Sequence, residues 1–176
     1  MPVDEAPGPR ELTLVLGGAR SGKSCHAEAV VRALPAPWFY IATGEPHDNE
    51  MAARIAEHRA RRGPEWQTIE APRDLAGALA ALPPHGAVLV DCLTLWLTNV
   101  MLAGADVDAD VARLERTLVE RKGPMVLVSN EVGFGIVPEN ALARRFRDAA
   151  GRLNQRLAAL ADRVVLLVAG IPLKVK

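Results

Sequence analysis

The sequence is short of cysteine and has no excess of charge of either sign. Only two cysteines, Cys25 and Cys92, occur among its 176 residues, too few for a scaffold held together by disulfides. Lys and Arg together number 21, and Asp and Glu together number 21, so the formal net charge is zero. Because general nucleic-acid-binding proteins usually carry a basic excess, this balance argues against a nucleic-acid partner.

The chain also lacks a long apolar run. Its longest, Val164–Leu173, is interrupted by Gly170 and Pro172 and has about half of the roughly 20 residues that a membrane-spanning helix needs. Met1–Arg10 contains several prolines and acidic residues, and it has neither the basic start nor the apolar middle of a signal peptide. We therefore expect a soluble, cytoplasmic protein with reduced thiols and no membrane span, whose residues 1–10 form a flexible N-terminal extension.

What the sequence does contain is an alternation of short apolar runs and helix-like segments. The apolar runs do not alternate with polar residues, as expected of strands buried on both faces of a parallel sheet. They are Leu12–Leu16, Trp38–Ala42, Ala87–Val90, Met125–Ser129 and Val164–Ala169. The predicted helices are Ser24–Leu34, Asp48–Arg62, Leu93–Leu102, Asp108–Arg121 and Glu139–Ala161. This order predicts a single α/β domain over residues 11–176, with a mostly parallel β-sheet flanked by helices.

One stretch matches the phosphate-binding loop of nucleotide-binding proteins. Residues Gly17-Gly18-Ala19-Arg20-Ser21-Gly22-Lys23-Ser24 fit G-x-x-x-x-G-K-[ST] between a predicted strand and a predicted helix. In such a loop, backbone N–H groups and the helix N-terminus bind phosphate oxygens. Lys23 is then expected to reach the β- and γ-phosphates, and the Ser24 hydroxyl to bind Mg²⁺. The sequence therefore predicts a protein that binds a nucleoside triphosphate.

A second Mg²⁺ ligand is expected at the end of another strand. Asp91 directly follows the predicted strand Ala87–Val90, and a carboxylate there can reach the ion directly or through water. This prediction supposes that the strand lies beside the phosphate loop. The alternative role for Asp91 is to cap the helix predicted over Leu93–Leu102.

Among nucleotide-binding proteins, the chain is best explained as a small-molecule kinase. A regulatory GTPase reads guanine with N-K-x-D and switches with D-x-x-G, but Asn130 is followed by Glu131, and Asp91 by Cys92-Leu93-Thr94. These departures argue against the main alternative from another class, a nucleotide-gated regulatory protein without chemistry of its own.

The predicted helix Asp48–Arg62 has two interpretations. One face carries the basic residues Arg54, His58, Arg61 and Arg62. Arginines are suited to phosphate oxygens, and a neutral imidazole can attack phosphorus. However, Met51 and Ile55 share a face with His58, so from the residues alone a structural role for His58, at the border of the core, is slightly favoured.

Several stretches together resemble the bifunctional adenosylcobinamide kinase / adenosylcobinamide-phosphate guanylyltransferase family of cobalamin biosynthesis. Besides the phosphate loop they are Tyr40–Thr43, Glu50–Ile55 with His58, Asn130–Gly133, Gly135–Pro138, Phe146–Asp148, Gly151-Arg152 and Asn154-Gln155. The phosphate loop is common to many enzymes, whereas the Glu50–His58 and Asn130–Pro138 stretches are specific. The resemblance extends from Leu12 to Lys176 and implies a P-loop (RecA-like) NTPase fold.

The resemblance implies two reactions. The family phosphorylates the aminopropanol hydroxyl of adenosylcobinamide with ATP or GTP. It then transfers GMP from GTP to that phosphate through a GMP-histidine intermediate, which yields adenosylcobinamide-GDP and pyrophosphate. The family histidine falls on His58, so the resemblance reverses the preference for a structural role. A kinase without nucleotidyl transfer, with His58 structural, stays the nearest alternative.

The resemblance also implies which residues contact the substrates. Lys23 and His58 are the expected catalytic residues. The expected nucleotide contacts outside the phosphate loop are Ala42, Thr43, Gly44, Arg59, Ala60, Arg61, Arg62, Glu70 and Asp91. Glu70 can accept from guanine N1–H and N2–H₂, although an exposed acid on an edge strand is an equally good explanation. Asn130 and Glu131 are expected on the substrate side or near the metal, with a turn or helix-capping role as the alternative.

The chain departs from some relatives at Glu57, where they carry a second histidine. The resemblance then leaves His58 as the nucleophile in this chain. It also implies Mg²⁺ with GTP or ATP, a corrinoid substrate and a homotrimer. Since His58 must be neutral to attack, guanylylation is expected to weaken at acid pH.

Overall fold

The computed structural model describes residues 10–45, 53, 56, 59, 60 and 62–176. Its strands are β1 Leu12–Gly17, β2 Trp38–Ala42, β3 Trp66–Glu70, β4 Ala87–Asp91, β5 Met125–Asn130, β6 Arg163–Val168 and β7 Ile171–Lys174. Its helices are α1 Lys23–Arg32, α2 Leu75–Ala81, α3 Leu93–Leu102, α4 Val107–Glu120 and α5 Ala141–Leu160. Residues 1–9, which hold most of the expected N-terminal extension, lie outside the described residues.

The strands form one seven-stranded sheet in the order β3-β2-β4-β5-β1-β6-β7. All neighbours pair in parallel except β6 and β7, which form an antiparallel pair. The parallel strands therefore end at the same edge, which we call the carboxyl edge. In α/β sheets of this kind ligands bind at that edge, and the phosphate loop follows β1 there.

The prediction that the strand of Asp91 lies beside the phosphate loop is wrong. β5 lies between β4 and β1, so the loop strand has β5 and β6 as its neighbours. β5 is buried from Met125 to Ser129, and this central position gives it hydrogen-bonding partners along both edges. Asp91 nevertheless lies at the carboxyl edge, because it is the last residue of β4. Through Val128 of β5 it is level with Val15, two residues before the end of β1.

Two apolar layers cover the sheet. On one face the buried residues of α2, α3, α4 and α5 pack against the strands around Trp96, which is fully enclosed. On the other face α1 packs through Ala27 and Val31 against residues that include Tyr40 and Trp66. Within the described part of the chain, no helix is both long and apolar enough to cross a membrane.

Three elements were not predicted from the sequence, each for a different reason. β3 has exposed side chains at Gln67, Thr68 and Glu70, so it lacks the apolar run by which the other strands were predicted. α2 is short and contains Gly77, but the Asp74 carboxylate caps it by accepting from the Gly77 N–H. β7 is exposed throughout. Predicted and observed boundaries of the remaining described elements differ by no more than about two residues.

Candidate active site

The phosphate loop turns sharply between β1 and α1. Gly17 has a φ of +154°, and a Cβ there would lie 2.6 Å from Ser21 Oγ and 2.7 Å from the Leu167 carbonyl oxygen, so a larger residue does not fit. Gly22 has a φ of +93° and directly precedes α1. No side chain caps that end of α1, so the first-turn N–H groups are available to an anion.

Lys23 lies inside this loop. Its side chain is 7% exposed, and its Nζ donates to the Gly18 carbonyl oxygen at 2.5 Å and lies 3.5 Å from Ser21 Oγ. The neighbouring strand ends hold the loop in place. The Glu131 N–H donates to the Gly17 carbonyl oxygen at 2.9 Å, and the Gly170 N–H donates to the Ser21 carbonyl oxygen at 3.0 Å. The ammonium group thus lies against the backbone of the loop, in the residue that begins α1.

Asp91 ends β4 at the carboxyl edge. The N-cap of α3 is Cys92 and no side chain caps that helix, so Asp91 does not have the capping role that was its alternative. Instead, its Oδ2 accepts a hydrogen bond of 3.2 Å from the Tyr40 hydroxyl. The Asp91–Cys92 peptide is cis.

A buried hydrogen-bond network fixes the segment Ala42–Gly44. The Thr43 hydroxyl donates to the Cys92 carbonyl oxygen at 2.6 Å and accepts from the Cys92 N–H at 2.8 Å. The Asn99 side-chain amide donates to the carbonyl oxygens of Thr43 at 2.8 Å and of Pro72 at 3.0 Å. Asn99 is 6% exposed. It therefore joins the ends of β2 and β3 to α3.

Arg62 lies over an aromatic ring near Asp91. Its guanidinium carbon is 3.6 Å from the centroid of the Tyr40 ring, a cation–π contact. Its Nε and Nη1 are buried, and among the described residues they have no hydrogen-bond partner. Buried unpaired donors are costly, and in native structures they often mark a place that a ligand occupies.

Glu70 and Arg59 are paired on the surface. Arg59 Nη2 lies 2.7 Å from Glu70 Oε1, and the two side chains are 60% and 71% exposed. Glu70 ends β3 in register with Ala42, which in turn is in register with Asp91. The carboxyl edge thus brings together Ala42, Glu70 and Asp91, three of the predicted nucleotide contacts.

His58, the catalytic histidine predicted from the sequence, lies outside the described residues. So do Arg61, Arg54, His47 and the predicted cap Asp48. Within the predicted helix Asp48–Arg62, the described residues Ala53, Ala56, Arg59 and Ala60 are helical, whereas Arg62 lies in a bend. The assignments of His58 and Arg61 thus stay predictions.

Asn130, the last residue of β5, and Glu131, the next residue, make hydrogen bonds within the chain. The Asn130 N–H donates to the Thr94 hydroxyl at 2.7 Å, and the Glu131 carboxylate accepts from the Gly133 N–H at 3.1 Å, which is a turn contact. Sequence reasoning missed Thr94, Asn99 and Tyr40. The only available signal was polar residues within otherwise apolar elements.

The described residues fit a Mg²⁺–nucleotide complex better than a resident metal centre. In the part of the chain that the structure describes, no three His, Cys, Asp or Glu side chains are grouped closely enough to hold a metal ion. Mg²⁺ commonly takes one or two protein oxygens and completes its shell with substrate phosphates and water. The Ser24 hydroxyl on the first turn of α1 and the Asp91 carboxylate are oxygens of that type at the carboxyl edge.

Comparison with solved structures agrees with this architecture. The fold is similar to that of the RadB recombinase, with a TM-score of 0.51 and 16% identity over 90% of this chain and 74% of that one. It is also similar to an ATPase of a type III secretion system, with a TM-score of 0.61 and 13% identity over 92% of this chain and 53% of that one. At such identities the likeness concerns the fold alone.

Sequence comparisons are more specific. The bifunctional adenosylcobalamin biosynthesis protein CobU of Salmonella typhimurium is 48% identical, over 94% of this chain and 99% of that protein. CobP of Pseudomonas aeruginosa, which carries the same description, is 47% identical over 93% of this chain and 96% of that protein. The family model described as cobinamide kinase / cobinamide phosphate guanyltransferase matches residues 13–175. The chain belongs to this enzyme family.

Proposed function

We propose that this enzyme phosphorylates the aminopropanol hydroxyl of adenosylcobinamide with ATP or GTP and then transfers GMP from GTP to the resulting phosphate. The products are adenosylcobinamide-GDP and pyrophosphate. The observation that carries the proposal is the buried Lys23 within the phosphate loop, in a chain whose family match spans residues 13–175.

In the kinase step the substrate hydroxyl oxygen attacks the γ-phosphorus and the bond to the β-phosphate oxygen breaks. The N–H groups of the loop and of the first turn of α1 hold the phosphate oxygens, and Lys23 neutralises charge that develops on them. The hydrogen bonds from Glu131 and Gly170 to the loop keep these donors in place, which lowers the cost of reorganisation during the reaction.

Mg²⁺ bound with the nucleotide would neutralise charge on its phosphates. Ser24 and Asp91 would hold it. Support for Asp91 comes from its position at the carboxyl edge and from the Tyr40 hydrogen bond, which orients the carboxylate.

In the transferase step we assign the nucleophile to His58. Its neutral imidazole attacks the α-phosphorus, pyrophosphate leaves, and the phosphate of the corrinoid substrate then displaces the histidine, so that one transfer becomes two displacements. Arg59, Arg61 and Arg62 would neutralise the α-phosphate and the leaving group. The unpaired buried donors of Arg62 support its part in this assignment.

The guanine end is proposed to lie by Ala42–Gly44 and Glu70. The Thr43 and Asn99 hydrogen bonds give the first segment a fixed backbone. Glu70 is exposed, and its only described partner is Arg59, also on the surface. Its carboxylate can therefore exchange that arginine for guanine N–H donors.

Product analysis tests the two reactions together. Adenosylcobinamide incubated with protein and Mg-ATP should gain one phosphate, and addition of GTP should convert it to the GDP derivative with release of pyrophosphate. Lys23→Ala should lose phosphorylation, whereas Lys122→Ala should behave as wild type, because Lys122 is exposed before β5 at the opposite edge. Absence of both products from a folded wild-type protein would contradict the proposal.

The resemblance also supports a cytoplasmic homotrimer. Light scattering should then give about three times the chain mass of 18.9 kDa. A monomer mass at assay concentration would contradict the homotrimer and leave the proposed reactions unaffected.

A further inference from the structure

Tyr40 lies between two charged side chains that the proposed function uses. Its hydroxyl donates to Asp91 Oδ2 at 3.2 Å, and its ring carries the Arg62 guanidinium at 3.6 Å. The side chain is 4% exposed. A single buried aromatic residue thus touches both an expected cation ligand and an expected phosphate ligand.

In the hydrogen bond between Tyr40 and Asp91, the hydroxyl is the donor and the carboxylate is the acceptor. A phenol keeps its proton at neutral pH, so the Tyr40 hydroxyl donates and the Asp91 carboxylate accepts. This hydrogen bond occupies Oδ2, and in the described part of the chain no hydrogen bond to Oδ1 is found. Tyr40 therefore fixes the rotation of the carboxylate and leaves Oδ1 for another ligand.

The face of the Tyr40 ring contacts the Arg62 guanidinium. Trp66 packs edge-on against Tyr40 with centroids 6.1 Å apart, and Trp38 packs against Trp66 at 5.4 Å. This stack prevents the ring from turning away. Arg62 therefore keeps a defined place over the ring, although its Nε and Nη1 have no partner in the part of the chain that the structure describes. These donors have the chemistry to bind phosphate oxygens.

We propose that Tyr40 is a positioning residue that couples phosphate binding at Arg62 to cation binding at Asp91. The ring supports the guanidinium and the hydroxyl orients the carboxylate, so one rigid side chain sets the spacing of both groups. This inference rests on the proposed function, since it takes Arg62 and Asp91 as ligands of a Mg²⁺–nucleoside triphosphate.

Two substitutions separate the two contacts. Tyr40→Phe removes only the hydroxyl, whereas Tyr40→Leu removes the ring as well. Binding of a fluorescent GTP analogue is measured with Mg²⁺ and with EDTA, and Mn²⁺ binding to the protein–GTP complex is measured by electron paramagnetic resonance. Trp38→Phe is the matched control, because it loosens the same aromatic stack and the Trp38 hydrogen bond to Leu34 without touching Asp91 or Arg62.

For Tyr40→Phe we expect binding in EDTA close to that of wild type. Mn²⁺ affinity and the tightening by Mg²⁺ should each fall about three- to tenfold, the size of one typical hydrogen bond. For Tyr40→Leu we expect binding in EDTA to fall about three- to tenfold as well, from loss of the cation–π support. Melting curves confirm that each variant is folded.

The proposal is overturned if Tyr40→Phe keeps the Mn²⁺ affinity of wild type, or if Trp38→Phe reproduces the losses of Tyr40→Leu. These readouts are independent of the assigned reactions. If the corrinoid products do not form but the Tyr40 variants change GTP and Mn²⁺ binding as expected, the proposed function is refuted and the role of Tyr40 is supported.

Discussion

Replacement of Asn99 by leucine tests whether the amide holds the carboxyl edge together. Asn99 and leucine have similar volumes, but the substitution removes donors from the carbonyl oxygens of Thr43 and Pro72, which Asn99 contacts at 2.8 and 3.0 Å. A buried acceptor that loses its partner costs about 1–3 kcal/mol. Two acceptors lose their partner here, at about 2–6 kcal/mol together, and the added apolar burial offsets part of this cost. We therefore expect a loss in the lower half of that range, about 2–4 kcal/mol, in the free energy of unfolding.

That loss is large enough to measure by thermal unfolding. A chain of this size loses roughly 2–4 °C of Tm per kcal/mol, so Asn99→Leu should lower Tm by about 4–16 °C. GTP affinity, measured well below Tm, should also fall because Ala42–Gly44 loses its anchor. Thr98→Val is the control: its hydroxyl donates to the Thr94 carbonyl oxygen one turn earlier in the same helix, and its loss should cost about 1 kcal/mol or less. Equal Tm values for the two variants would refute the role assigned to Asn99.

Three further outcomes are expected. Gly17→Ala should abolish nucleotide binding in a fluorescence titration, since the added Cβ meets Ser21 and Leu167; retained binding would contradict the loop geometry. One thiol should react quickly with a disulfide reagent in native protein and two after denaturation, because Cys25 is exposed whereas burial raises the pKa of Cys92 to about 11. The hydrogen bond from Arg156 lowers the pKa of Glu115, so this pair stabilises the fold above the pKa of the unfolded carboxyl, and the stabilisation is lost as pH falls through the folded pKa. In urea at pH 7, Glu115→Gln should therefore be less stable than wild type by about 1 kcal/mol or less. A difference in stability that persists in acid would contradict this assignment.

The sheet and the phosphate loop could be predicted because their signals are local. A strand buried on both faces must be apolar along its length, as Val88–Val90 is, and the loop motif needs glycines at fixed positions for steric reasons, as Gly17 shows. β3 was not predicted in this way, because an exposed strand at the edge of the sheet does not need an apolar run.

Strand order and side-chain support are set by contacts remote in sequence. The insertion of β5 between β1 and β4 depends on how whole strands pair, and no local pattern encodes it. Asn99 lies in an apolar helix and contacts Thr43, 56 positions away. Tyr40 likewise reaches Asp91 across 51 positions. Because these contacts join residues that are distant in the sequence, the roles of Asn99 and Tyr40 could not be predicted before the fold was known.

The covalent GMP adduct tests the central claim most directly. Protein is incubated with Mg²⁺ and GTP labelled at the α-phosphate, denatured and analysed by mass, with γ-labelled GTP as the label control. We expect an acid-labile GMP on wild type and on His85→Ala, since His85 is exposed just before β4 at the opposite edge, and none on His58→Ala. An adduct that survives in His58→Ala would contradict the assigned nucleophile, and no adduct on wild type, with phosphorylation of adenosylcobinamide intact, would leave a kinase alone.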